Sequence, residues 1–516
     1  MKEKTRQACK ELLKKIQAGH IINQNELEKE KVIISKKYLL DHVIRNSDIS
    51  SLTKNRKIKN LLKTKPVRTL SGVANIAVMW KGDCPGSCIY CPKGKRKDSK
   101  GVMHFVPKSY TGSEPATLRA IRTDYNPYKQ VENRLKQLKS IGHPTDKCEL
   151  IIMGGTFLSW SRKNQIFFIK QCLDAFNEKK SKTLKQAQKI NEKAKHRCIG
   201  LTIETRADYC TQSDINWMLR LGCTRVEIGV QTTSNKILKK INRGHGTKEN
   251  IAAIKRLKQA GLKVCIHWMP GLTGLQKLDM KKETEMFKQL FKSDYQPDEL
   301  KIYPTLVIEG TKLYEMWKKH KYKPLTIDQM THLMLELKKL VPEYVRIKRI
   351  MRDISEKGVV AGPKTTNLRQ LVNERMIKNG ISCKCIRCRE VGLSKNKPEK
   401  IELRKIEYKA SGGKEIFLSF EDKKNRILLA FLRLRIDTDK IAKVRELHVY
   451  GPMIEIGKRG AYQHIGYGKK LLSEAEKIAR SLKINRIQVT SGIGVRNYYK
   501  NLGYKLKNNY MTKALN

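Results

Sequence analysis

The run V-A-N-I-A-V-M-W at residues 73–80, followed by C-P-G-S-C-I-Y-C at residues 84–91, decides how this chain is read. The first is a continuous apolar run of strand length, which predicts a buried strand. The second places Cys84, Cys88 and Cys91 in the loop that leaves it. Three thiolates at spacings of four and three residues can wrap one face of a metal cluster and leave one iron without a protein ligand. A redox cofactor needs that open position to hold its substrate, and thiolates are the usual protein ligands of iron–sulfur clusters. With Tyr90 immediately before the third cysteine, the pattern is that of a [4Fe–4S] cluster that cleaves S-adenosylmethionine to a 5′-deoxyadenosyl radical. Structural zinc competes, but it takes four ligands and prefers paired C-x-x-C knuckles. No second knuckle follows nearby, and His104 is the only histidine close by.

Outward from this point, strand and helix patterns alternate. Strands are predicted at 73–79, 148–153, 198–202, 225–230, 262–268 and 300–303, with helix-period segments between them, such as 115–139 and 248–260. Six such units imply parallel strands with right-handed crossovers, and hence a partial (β/α)6 barrel. Function collects where barrel strands end. The residues found there are Gly154, Gly155 and Thr156, then Glu204, then Gln231, then Met269, Pro270 and Gly271. The chain therefore reads as an α/β multidomain protein. Residues 1–70 form a basic helical region with Leu12, Leu13 and Ile16 as its buried stripe. The barrel domain spans 71–366, a connector 367–400 and a separate α/β unit 401–516. The lysine-rich stretch 178–197 reads as a solvated helix or insertion.

The connector carries C-K-C-I-R-C, with Cys383, Cys385 and Cys388 in a polar segment. A zinc staple is the reading favoured by this spacing, its fourth ligand coming from elsewhere in the fold. A second iron–sulfur cluster and free thiols remain open. In the last unit, a strand at 447–450 precedes Q-H-I-G-Y-G at 463–468 and a helix at 469–481. Glycines at a strand-to-helix turn expose backbone N–H groups, and the helix N-terminus adds partial positive charge, so together they cradle a pyrophosphate. A strand at 486–490 and N-Y-Y-K-N-L-G-Y at 497–504 follow. Gln463, Gly466, Gly468 and the distal Tyr499 resemble the GNAT acetyltransferases, where the pyrophosphate belongs to acetyl-CoA.

Lys and Arg total 108 against 49 acids, a formal charge of +59, which calls for a polyanionic partner. A lysine-rich proteome explains part of the excess but not its clustering. Lys54, Arg56, Lys57, Lys59, Lys63, Lys65 and Arg68 run without an acid, and Lys93, Lys95, Arg96, Lys97 and Lys100 follow the cysteine motif. No apolar run approaches a membrane span, and the first residues are charged where a secretory signal would be apolar. Thirteen cysteines without such a signal predict a reducing cytoplasm and no membrane partner.

A radical S-adenosylmethionine barrel followed by a GNAT unit resembles the Elongator catalytic-subunit family, which modifies the wobble uridine of tRNA. The resemblance runs from about Lys65 to the C-terminus. It rests on P-V-R-T-L-S-G-V-A from Pro66, P-K-S-Y-T-G-S-E-P from Pro107, G-H-P-T-D-K from Gly142 and M-G-G-T-F from Met153. T-I-E-T-R from Thr202, E-I-G-V-Q from Glu227, N-R-G-H from Asn242, L-K-I-Y-P-T-L-V-I from Leu300 and R-E-L-H-V-Y-G from Arg445 continue it. Lys93 stands where the family commonly has glycine, and Ala207 replaces a proline. The cysteines at 383–388 are similar to those of non-eukaryotic members, which implies a chain working without the other Elongator subunits.

The resemblance implies that the radical takes a hydrogen from the acetyl methyl of acetyl-CoA. The carbon radical then adds to C5 of the uridine, and thioester hydrolysis leaves a 5-carboxymethyl group. It implies that Lys147, Glu446, Leu447, His448, Val449, Tyr467, Gly468, Lys469 and Tyr499 contact acetyl-CoA. Further partners would be a tRNA anticodon loop and an electron donor for the cluster, and a homodimer is compatible with the pattern. From the residues alone, Lys147 reads as a surface loop lysine, Tyr499 equally as a core aromatic, and His448 as a buried structural histidine. A lysine acetyltransferase with a structural iron–sulfur centre is the alternative, with Glu446 as its base. A nucleic-acid-binding scaffold with degenerate sites is a third reading, opposed by the intact cysteine triad.

Overall fold

The computed structural model describes residues 3–63, 69–82, 84–92, 94–97, 101–275, 277–394, 396–453, 460–463 and 465–515. Lys65, Arg68, Lys93, Lys100 and His464 lie outside the described residues, as do the side chains of Arg56, Arg96 and Lys97. Among the described residues, no helix is long and apolar enough to cross a membrane.

The central unit is a sheet of seven parallel strands. They are β1 (Ala74–Met79), β2 (Lys147–Met153), β3 (Arg197–Thr205), β4 (Arg225–Gln231), β5 (Lys263–Trp268), β6 (Glu299–Ile302) and β7 (Arg346–Ile350). Spatial order follows chain order, so the sheet curls as an open barrel. Its wall is apolar, with Ile76, Leu150, Leu201, Ile228, Ile266 and Ile302 all fully buried. Each such side chain contributes roughly 1.5–3 kcal/mol of burial. All six expected strands are present. The seventh, R-I-K-R-I, alternates cations with isoleucines and so lacks the apolar run that marks the others.

One expected helix is two. The 115–139 segment divides into Pro115–Arg122 and Pro127–Ser140. Proline at 127 disfavours the helical region for its predecessor, and Asp124 and Tyr125 take φ of 45° and 57° in the turn between. The connector also differs from its polar composition. Leu368, Val372, Met376, Cys385 and Ile386 are buried in the barrel's own core, and the Ile386 N–H donates to the Val345 carbonyl at 3.0 Å. The N-terminal helices Glu3–Gln17 and Gln24–Lys37 pack a separate core around Leu12, Ile16, Leu27 and Ile34, with Leu13 at its margin.

The C-terminal unit holds β8 (Glu402–Ala410), β9 (Gly413–Asp422), β10 (Ile427–Ile436), β11 (Ala442–Val449), β12 (Arg486–Val489), β13 (Lys505–Lys507) and β14 (Tyr510–Ala514). Their order in the sheet is β8-β9-β10-β11-β12-β14-β13. Only β11 and β12 are parallel, and they pair from Ala442 to Val444 and no further. Beyond that point β11 runs on without a partner on this side, and the helix Tyr467–Ser481 packs beside it. Register with β10 slips between Arg433 and Leu434, so Arg445 is an extra residue in β11. A bulge of one residue reverses which side chains face inward. Ala442 and Val444 belong to this unit's core before it, and Leu447 and Val449 pack on that core after it.

Through the bulge Glu446 comes to face the barrel beside Arg445. The Arg445 guanidinium donates to both oxygens of Asp298, at 2.8 and 2.5 Å, and to Glu415 at 2.9 Å. Asp298 precedes β6 and is fully buried. Lys258 stands 3.4 Å from the same carboxylate, and the Val264 N–H donates to it at 2.8 Å. Burial opposes the Asp298 charge, yet Arg445, Lys258 and Arg433 hold its carboxyl well below the usual range. Its stabilising effect is therefore complete at neutral pH and is lost only as strong acid protonates it. Asp298→Asn removes the carboxylate shared by three buried cations, Arg445, Lys258 and Arg433, and leaves them only Glu415 and Glu446, a change that costs about 3–5 kcal/mol. The variant should unfold at a clearly lower urea midpoint, and a wild-type midpoint would show that this cluster does not join the domains.

Candidate active site

The strand β1 delivers the loop carrying Cys84, Cys88 and Cys91 to the barrel rim where all the strands end. Two glycines after β2 let it sit close. Gly154 and Gly155 take φ of 121° and 89°. A side chain on Gly155 would begin 3.2 Å from the Cys84 Cβ, and one on Gly154 would begin 2.8 Å from the Trp80 ring. Cys84 Sγ lies 3.1 Å from the Thr156 hydroxyl and Cys91 Sγ 3.3 Å from the Ser109 hydroxyl. The Arg243 guanidinium approaches Cys88 Sγ at 3.6 Å and donates to the Gly229 carbonyl. Hydrogen bonding from Cys91, with Arg243 beside it, holds the Cys88 thiol down to about 5 despite burial. The donating Cys91 is correspondingly pushed up. A buried cation beside the Cys88 sulfur favours its thiolate, the form that ligates iron.

The cavity in front of these sulfurs receives Glu204 from β3 and Gln231 from β4. Gln231 holds a left-handed φ of 69°, a strained setting for a non-glycine residue. Its amide oxygen, the Thr205 hydroxyl and one Arg206 nitrogen are buried there without a hydrogen-bond partner. Orphaned polar atoms around one cavity fit a polar ligand. Glu204 accepts from the Tyr110 hydroxyl at 3.0 Å and stands 3.6 Å from Lys301. Lys301 pairs with Glu227, which also meets His267 Nε2 at 2.8 Å. Burial works against the Lys301 charge, but Glu227, Tyr303 and Glu204 raise its pKa well above the usual value. Arg243, Glu227, His267 and Lys301 had no role assigned from sequence. The signal was nonetheless there, because each falls in or beside a quoted motif.

A second cavity opens at the opposite end of the same sheet, where the strands begin. Glu149, Arg225, Lys263, Glu299 and Lys348 line it, and Glu446, His448 and Tyr450 of the C-terminal unit close it. Glu446 accepts from Lys263 at 3.1 Å and from Arg433 at 2.9 Å. His448 meets the Ser71 carbonyl at 3.0 Å. Leu447 and Val449 point the other way, to about 3.9 and 3.8 Å from where a Gly468 side chain would begin. Gly466 caps the helix at φ 101° with open space around it and no capping side chain. The first-turn N–H groups of Tyr467, Gly468 and Lys469 are thereby left for a ligand. Lys147, the first residue of β2, donates to Gln463 Oε1 at 3.0 Å, and Gln463 donates to the Val449 carbonyl at 3.2 Å. Lys147 is thus a half-buried interdomain contact, with its pKa lowered by burial.

Packing sets the surroundings of two further candidate residues, Tyr499 and Glu446, both buried. Tyr499 is buried between Tyr498 and Tyr504 in the C-terminal core, and burial raises its pKa. The hydroxyl of its neighbour Tyr498 is the one near the glycine turn, 3.1 Å from a Gly468 side-chain position. Glu446 was the candidate base of the acetyltransferase alternative. Burial opposes its charge, but Lys263 and Arg433 hold its carboxyl down to about 2, too acidic to take a proton near neutrality. Cys383, Cys385 and Cys388 bring their sulfurs within 4.8 Å of one another. Thiolates around one zinc, at roughly 2.3 Å from it, stand about 3.8 Å apart, so the group fits a single ion.

Four family models match the chain: ELP3 N-terminal domain at residues 5–70, Radical SAM superfamily at 81–286, Radical_SAM C-terminal domain at 297–378, and Acetyltransferase (GNAT) family at 387–504. The chain is 48% identical to a tRNA uridine(34) acetyltransferase of Methanocaldococcus infernus over 100% of both chains. It is 40% identical to Elongator complex protein 3 of Homo sapiens, over 95% of this chain and 93% of that one. A solved structure of the archaeal Methanocaldococcus infernus Elp3 with an N-terminal deletion has 45% identity and a TM-score of 0.76, covering 87% of this chain and 100% of that one.

Glu446→Gln should lower the thermal midpoint, because Lys263 and Arg433 lose their partner. It should leave the shape of the pH profile for acetyl transfer or hydrolysis unchanged between about pH 6 and 8. An ionisation near neutrality that vanishes in the variant would reinstate Glu446 as a base.

Proposed function

The chain belongs to the family of Elongator complex protein 3 and the tRNA uridine(34) acetyltransferases, and from that premise we propose that it installs a carboxymethyl group at C5 of the wobble uridine of tRNA. One observation carries the reading. A cysteine triad in the radical S-adenosylmethionine arrangement and an uncapped GNAT glycine turn are joined in one chain by a buried ion cluster.

Cys84, Cys88 and Cys91 would hold the [4Fe–4S] cluster, and Gly154, Gly155, Glu204 and Gln231 would line the S-adenosylmethionine site. Lys147, the backbone of Glu446–Val449, Gln463, Gly466–Lys469 and the tyrosine pair at 498–499 would receive acetyl-CoA. With these bound, the chemistry supplied would be hydrogen abstraction from the acetyl methyl, addition of that carbon to C5 of the uridine with loss of the C5 proton and return of one electron to the oxidised cluster, and release of CoA by hydrolysis with one water. The protein's own part is to position these groups and manage protons. Replacement of the C5 hydrogen and thioester hydrolysis both move protons. Glu227 and His267 line the cavity, with Lys301 paired to Glu227, and this set can take part. Cys383, Cys385 and Cys388 would bind one zinc and fasten the connector.

The tRNA anticodon loop would enter from the cysteine end, since unstacked loops expose base edges. Lys57 and Lys59 are exposed for phosphate contact, while Lys63 is half-buried with its pKa lowered by burial. An electron donor completes the partners. The chain would work in the cytoplasm without further Elongator subunits. The lysine acetyltransferase alternative loses its base, because Glu446 is committed to Lys263 and Arg433.

The test is mass spectrometry of nucleosides from tRNA incubated with the reduced protein, S-adenosylmethionine and acetyl-CoA, alongside metal analysis. The expected product is 5-carboxymethyluridine, absent from the Cys84→Ser protein, with zinc bound beside iron and lost from the Cys385→Ser variant. Acetylated lysine with unmodified tRNA would support the alternative instead.

A further inference from the structure

Outside the two cavities described, the barrel rim carries a third recess that no part of the reaction uses. It is lined by Lys81, Asp124, Tyr125, Lys129, Trp160 and Phe167. Phe167 is 55% exposed, high for a ring this size, and it lies on the second turn of the helix Arg162–Asn177. Lys81 and Lys129 are exposed beside it. The turn that shapes the recess is strained, with Asp124 and Tyr125 both left-handed. The Tyr125 hydroxyl anchors that turn by donating to the Phe105 carbonyl at 2.7 Å. Strain retained in an over-determined turn points to a functional surface.

Position gives the recess its meaning. Lys81 is three residues before Cys84, and Trp160 is four residues after Thr156, whose hydroxyl touches the Cys84 sulfur. Trp160 packs on Trp80 with ring centroids 5.1 Å apart, and Trp80 directly follows β1 at the start of the segment that leads to the cysteines. The N-terminus of the helix Pro127–Ser140 lies on the same side, capped by the Asn126 side chain, which accepts from the Lys129 N–H at 3.0 Å. An exposed ring flanked by two lysines matches the way single-stranded nucleic acid is held. Bases stack on aromatics while the backbone tracks positive charge. Asp124, the one acid present, is paired with Lys81 at 3.1 Å.

We propose that this recess binds an unstacked nucleobase next to the reacting uridine, stacked on Phe167, with its phosphate met by Lys81 and Lys129. The proposal rests on the tRNA reading above and deepens it. A base withdrawn into the barrel leaves its neighbour without a stacking partner, and the recess supplies one beside the entrance.

The test is a double-mutant cycle with the full-length chain and a fluorescent anticodon stem-loop RNA, read by anisotropy at fixed salt. Abasic RNAs lack the nucleotide base either 5′ or 3′ of the uridine. Phe167→Ala should weaken binding of intact RNA about tenfold, within the range known for base–aromatic stacking. One abasic RNA should weaken binding to the wild type by a similar factor and show no further loss with Phe167→Ala, and Phe167→Trp should retain affinity. RNA binding by Phe167→Ala equal to the wild type, or losses that multiply independently at both neighbours, would overturn the recess and leave the tRNA reading standing. Absence of RNA binding by the wild type would overturn both.

Discussion

The fully buried Asp298 carboxylate is the constraint on which the rest depends. Buried charge is tolerable only when paired and hydrogen-bonded. Asp298 meets that condition with partners drawn from both domains: Arg445 and Arg433 from the C-terminal sheet, and Lys258 and the Val264 N–H from the barrel. None of these partners can withdraw without stranding the others. The bulge in β11 completes the arrangement, because it leaves Arg445 and Glu446 both facing the barrel while Leu447 and Val449 return to their own core. The two domains are therefore joined by paired charges as well as by apolar packing, with Leu428, Leu429 and Phe431 of the C-terminal sheet in one core cluster with the barrel.

That placement sets the two cavities at opposite ends of one parallel sheet. Between them the barrel interior is not apolar. Arg225 is fully buried among Glu149, Glu227 and Glu299, and Glu227 in turn meets His267 and Lys301 below the cysteine loop. At the other end Lys263 meets Glu446 on β11. A run of buried charges thus connects the strand beside the glycine turn to the cavity beside the sulfurs. Such a lining costs stability relative to an apolar core.

How much of this was legible in the sequence follows from the physics of each signal. Apolar runs announced six strands, since both faces of a parallel barrel strand are covered. The seventh stayed hidden because Arg346, Lys348 and Arg349 face the lumen charges and rim of the barrel. Cysteine spacing and the glycine turn located both candidate sites, because those chemistries act through backbone geometry and ligand spacing that are local in sequence. Glu446 illustrates what local reading misses. Its neighbours Lys263 and Arg433 are distant in sequence, and the bulge that decides its direction has no residue signature. Lys147, a loop lysine to the eye, reaches Gln463 only after the two domains close.

The central claim is that the acetyl methyl held by the C-terminal unit is the group that reacts at the cysteine end. The most direct measurement is turnover with trideuteroacetyl-CoA, S-adenosylmethionine and tRNA, followed by mass spectrometry of the 5′-deoxyadenosine formed. The account predicts one deuterium carried into 5′-deoxyadenosine. Modified tRNA accompanied by unlabelled 5′-deoxyadenosine would contradict it.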